Sequence, residues 1–136
     1  MKKLLLISLS ALLLPACADK NQYEQAVLEQ MQKEQDVKDY KIPPEDMAKC
    51  VIDLTTKNMP GFFPLDPNRL TAYRNYTKML TLTQSQDPKK TLEELRTGFG
   101  SAKDLADAHT NYTESVMNCL SAVIMKSEEG AKEEKK

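Results

Sequence analysis

Ala102, Leu105, His109, Tyr112, Val116, Cys119 and Val123 step by alternating threes and fours through the C-terminal part of this 136-residue chain. An apolar stripe held in register over three heptads is the pattern of one long helix with a single seam. Such a helix cannot bury its seam alone, so other segments must supply partners. No stretch alternates apolar and polar residues with period two. The expected fold is therefore all-α, a small bundle of about four helices.

The partners are marked by their ends. Ile42-Pro43-Pro44 breaks the chain, and Pro44 suits a first helical position, with Glu45 and Asp46 at the positive end of the helix dipole. Met47, Cys50, Val51 and Leu54 then share a face until Asn58-Met59-Pro60-Gly61 stops the helix. After the loop PGFFPLDP, Asp66 is an N-cap and Pro67 a first residue, and Leu65 with Leu70 has the spacing of a hydrophobic staple. This third helix carries Leu70, Tyr73, Thr77 and Leu80 and should fade near Thr83. Thr91 with Glu94 has the form of a capping box for a short helix over 92–97, closed by Gly98 and Gly100. Ser101 with Asp104 opens the last helix.

Outside these helices the pattern thins. Residues 18–41 are polar and Gln-rich, with Tyr23, Val27 and Met31 as a narrow stripe. They are expected to form a polar helical tether, which at about 1.5 Å per residue would span roughly 30 Å. The Lys- and Glu-rich end of the chain has no periodicity and is expected to be disordered.

The N-terminal segment has a different character. Lys2 and Lys3 precede an apolar run from Leu4 to Leu14, interrupted by Ser8 and Ser10. The run is shorter than the roughly 20 residues of a membrane-spanning helix and suits an export signal. Ala16-Cys17-Ala18 would serve ordinary cleavage, which would discard Cys17. Leu14-Pro15-Ala16-Cys17 resembles the lipobox of bacterial lipoproteins. That resemblance implies cleavage before Cys17, a diacylglycerol on its thiol and an acylated (palmitate-type) new N-terminus. Three acyl chains hold a protein at a membrane far more firmly than one. By the same resemblance, Ala18 after the lipidated cysteine points to the periplasmic side of the outer membrane rather than the inner membrane. The expected division is a signal over 1–16, anchor and tether over 17–41, bundle over 42–126 and charged tail over 127–136.

Two of the three cysteines then remain for the domain. Cys50 and Cys119 each sit on a helical seam. Packed helices have axes about 8–10 Å apart, which brings facing Cα atoms within reach of a disulfide. An exported, oxidising compartment would let that bond persist. Two buried free thiols are the alternative.

Other candidates each have a plain structural reading. His109, the one histidine, lies between Leu105 and Tyr112, where a half-buried, hydrogen-bonded ring is expected. A catalytic role would need an acid, base or nucleophile beside it, with Asp104, Asp107 and Thr113 nearest in sequence. No Cys-x-x-Cys occurs, and structural zinc takes about four clustered ligands, so neither metal nor cofactor is expected. Asn75-Tyr76-Thr77 and Asn111-Tyr112-Thr113 echo each other, as a short internal duplication or by coincidence. Phe62 and Phe63 either fold back over the core or present an aromatic patch to a partner, and side-chain burial decides between these.

With 19 basic and 20 acidic side chains there is no basic excess to suggest nucleic acid. Paired acids in a motif, a nucleophile with its base and a phosphate loop are all missing from the sequence, so an enzyme is not expected. In size, lipobox, helicity and cysteine number the chain resembles the secretin pilotins, small helical lipoproteins. The resemblance implies a protein-binding or assembly accessory of the cell envelope. An inhibitor or protective protein at the same address is the second possibility.

Overall fold

The computed structural model describes residues 14–133, with side chains from 17 to 130, so most of the signal segment lies outside the described residues. Among the described residues six α-helices follow one another: α1 Leu14–Lys33, α2 Gln35–Asp39, α3 Pro44–Lys57, α4 Pro67–Leu80, α5 Pro88–Phe99 and α6 Ala102–Glu133. A 3₁₀ turn, Leu82–Gln84, links α4 to α5. The all-α bundle is as expected, and no strand occurs among the described residues.

The predicted starts of α3 and α4 hold, while α4 ends at Leu80 rather than near Thr83, where the 3₁₀ turn takes over. Pro44 and Pro67 each take a first-turn position, and the Asp66 side chain accepts from the Asn68 N–H at 2.9 Å. Ser101 caps α6, its hydroxyl accepting from the Asp104 N–H at 3.0 Å. The helix placed over 92–97 is longer than expected. It starts at Pro88, because the Asp87 carboxylate accepts from the Lys90 N–H at 3.0 Å and Thr91 lies inside the first turn. Gly100, at φ +112°, ends it. Leu65 stays exposed, so it adds little as a staple.

The tether is a correction. Tyr23, Val27 and Met31 of α1 are fully buried, and α1 packs against both α3 and α4. Tyr23 stacks on Tyr73, with ring centroids 5.4 Å apart, and meets Tyr76 edge-on. Ala26 is buried too, and the Gln30 amide donates to the Leu80 carbonyl at 3.0 Å, satisfying a C-terminal group of α4. The full stripe is Tyr23, Ala26, Val27, Gln30 and Met31, the i, i+3, i+4, i+7, i+8 set of a core-facing helix. Val37 of α2 and Ile42 are likewise in the core. The bundle therefore begins near Asp19, whose carboxylate pairs with Arg74 at 2.6 Å, and no spacer separates it from Cys17.

The tail is a second correction. α6 continues to Glu133, although its side chains over 126–130 are exposed. Adding residues to an existing helix avoids the cost of nucleation, and Ala, Glu and Lys are good helix formers.

Cys50 and Cys119 form a disulfide with Cα atoms 5.9 Å apart, joining α3 to α6. Around it the two helices run antiparallel: Asn58 meets Asn111 at one level and Cys50 meets Cys119 at another.

Candidate functional site

Three features bear on function: Cys17, the loop between α3 and α4, and a groove beside α6. Cys17 is exposed and its thiol is free. It lies near the start of α1, at the end of the bundle where α3 finishes. Lys20 and Glu24 of α1 line the same recess as Asp53 and Lys57 of α3, whereas Leu28 lies by Glu45 and Ala48, so α1 and α3 are antiparallel.

The loop at that end is held from below. Met59 is buried at its entry. Gly61 has φ +97°, and a Cβ there would stand 2.8 Å from both Cβ and N of Arg69, so only glycine fits. The Arg69 side chain is buried. Its guanidinium donates to the Gly61 carbonyl at 2.6 Å and to the Thr56 carbonyl in the last turn of α3. Those final carbonyls have no partner within their own helix, and a cation there also meets the negative end of the dipole. The Asp66 carboxylate accepts from the Phe62 N–H at 3.1 Å as well as from Asn68, and the Asp66 N–H donates to the Phe63 carbonyl at 3.0 Å. These backbone donors hold the Asp66 carboxyl below the usual carboxylate range.

On this fixed base the rings point outward. Phe62 is 100% exposed, Phe63 57% and Leu65 47%. The rings do not cap the core, and an apolar patch is presented instead. Its fastening by Arg69 was not visible in the sequence. An arginine in the first turn of a helix carries no local signal that it reaches back to the preceding helix.

The groove, of about 590 Å³, lies between α4, the end of α5 and the first half of α6. Asn58, Asn68, Asn75, Asn111, Asp104 and Asp107 give it a polar lining. Much of that polarity is spent on the fold. The Asn111 amide donates to the Tyr76 hydroxyl at 2.9 Å and the Thr55 carbonyl at 3.1 Å, and accepts from Asn58 at 2.8 Å. Asn75 donates to the Gly98 carbonyl at 2.8 Å. Burial pushes the Tyr76 phenol up, and the Asn111 hydrogen bond partly opposes this. The two Asn-Tyr-Thr echoes thus meet across a helix pair, with both tyrosines buried.

His109 departs from expectation. It is exposed and does not line the groove. The buried line of α6 passes through Ala108 and Tyr112, because a straight 3.6-residue helix drifts from a strict heptad. Among the described residues no cluster of His, Cys, Asp and Glu is arranged to hold a metal ion, and no helix is long and apolar enough to cross a membrane.

Comparison with known proteins gives no further guide: no family model, curated protein or solved structure matches the chain.

Proposed function

We propose that this chain is an exported lipoprotein, anchored through Cys17, that serves as a non-enzymatic binding or assembly accessory of the cell envelope, most simply at the outer membrane. One observation carries this reading: Cys17 is free and exposed while the other two cysteines are bonded to each other. That thiol falls where Leu14-Pro15-Ala16-Cys17 has the lipobox pattern, and it is exposed two residues before Asp19, which pairs with Arg74 of α4, so an acyl group there leaves the core undisturbed. The groove of about 590 Å³ beside α6 supports this reading as one lateral surface open to a protein partner.

Cys17→Ser tests the anchor. The wild-type chain is expected in the membrane fraction, with an intact mass corresponding to a chain starting at Cys17 that carries a diacylglyceryl group on its thiol and one acyl group on its amine. The variant is expected in the soluble periplasmic fraction. A wild-type mass without acyl groups, or continued pelleting of Cys17→Ser with membranes, overturns the reading.

An envelope inhibitor or protective protein is the second reading, favoured by the exposed, hydrogen-bonded loop at Phe62 and Phe63. It requires that loop to face a protein.

A further inference from the structure

We infer that the Phe62–Phe63 loop is a second membrane contact, an interfacial wedge that fixes how the bundle sits on the bilayer; this rests on the anchor at Cys17 proposed above. The juxtaposition is geometric. Lys20, less than one turn after Cys17, lines one recess together with Phe62 and Phe63. Three residues of helix rise only about 4.5 Å. With no spacer between them, the Asp19–Arg74 pair at 2.6 Å keeps the start of α1 on the bundle. Acyl chains leaving Cys17 therefore bring the lipid headgroups to the level of the loop.

The chemistry of the loop fits that place. Two phenylalanines and Leu65 project into solvent, flanked by Lys20 and Lys57, cations that suit anionic headgroups. Glu24 and Asp53 line the same recess further along α1 and α3, and Lys20 pairs with Glu24 at 3.4 Å. The turn is already set by Gly61, Asp66 and Arg69, so the rings enter the interface with little conformational freedom left to lose. A protein partner would have to compete with the bilayer for this end of the molecule.

The chain contains no tryptophan, so Phe62→Trp introduces a single reporter at a fully exposed site where folding is not at stake. The full chain, purified from membranes with its acyl mass verified, is placed in phosphatidylethanolamine–phosphatidylglycerol vesicles containing lipids brominated high on the acyl chain. The indole at position 62 is expected to shift to shorter wavelength and to be quenched, as for a group lying roughly 5–10 Å into the headgroup–acyl boundary. Tyr40→Trp reports from an exposed site at the opposite end, between α2 and α3, and is expected to stay unquenched. An acylated chain whose position-62 indole is unquenched overturns the wedge and leaves the anchor standing. So does capture of one envelope protein by a photo-crosslinker at position 62 without quenching. A chain without acyl mass overturns the anchor itself, and the wedge with it.

Discussion

Arg69 shows how one buried cation organises a surface. Its guanidinium joins the end of α3 to the turn at Gly61: one bond goes to the Gly61 carbonyl and the other to the Thr56 carbonyl, which also accepts from the Met59 N–H at 3.2 Å. Arg69→Met keeps much of the stem but loses both bonds. Hydrogen bonds to charged groups contribute about 1.5–3 kcal/mol, and stability in urea should fall by about 2 kcal/mol. Gly61→Ala acts on the same joint through backbone strain and steric overlap, and should cost more than about 1 kcal/mol. Unchanged urea midpoints for both would mean that the loop is not fastened this way. The buried phenols make a separate, pH-dependent prediction. Burial raises Tyr23, Tyr76 and Tyr112 above the ordinary tyrosine value. The native protein then keeps protons that the unfolded chain loses near pH 10. Stability is therefore fully present below about pH 10 and falls as pH rises above it. Tyr112→Phe should leave the midpoint near neutrality within about 1 kcal/mol and reduce the alkaline loss. An alkaline loss identical to wild type would exclude a contribution from Tyr112.

At the scale of the element, the disulfide joins the two helices whose seams were clearest in the sequence. It closes a separation of 69 residues. Chain entropy alone gives such a closure about 4 kcal/mol, an upper figure in practice. Cys50→Ser under oxidising conditions should lower Tm by at least about 10 °C, and equal melting of variant and wild type would refute the staple. Helix ends marked by special chemistry were legible: Pro44, the Asp66–Pro67 pair and the Ser101–Asp104 pair each act on the backbone beside them. Burial set by distant neighbours was less so. Thr91–Glu94 imitates a capping box inside a helix that Asp87 had already started. His109 fits a heptad seam but turns outward, because Ala108 and Tyr112 are the residues presented to the core. The candidate site was readable in part. Two phenylalanines fenced by Pro60, Gly61 and Pro64 marked the loop, but its exposure depends on Arg69 and Asp66 holding the turn in place.

For the whole molecule the decisive element is α1, because it determines whether an anchored bundle hangs on a spacer or rests on the bilayer. Its sequence reads as a polar tether because large apolar residues are few, and Ala26 and Gln30, which complete the stripe, have little hydrophobic character. In the fold, α1 covers α3 and α4 and places Tyr23 between Tyr73 and Tyr76. A spacer could be altered or removed without loss of stability; a core helix could not. Met31→Ala should therefore cost about 2–5 kcal/mol, the usual range for truncating a buried methionine. Deleting residues 18–41 should leave Met47, Val51, Tyr73 and Tyr76 without cover and abolish the cooperative thermal transition followed by circular dichroism. A deletion variant that melts cooperatively near the wild-type temperature would restore the tether, and with it the distance between the aromatic loop and the membrane that the packing of α1 removes.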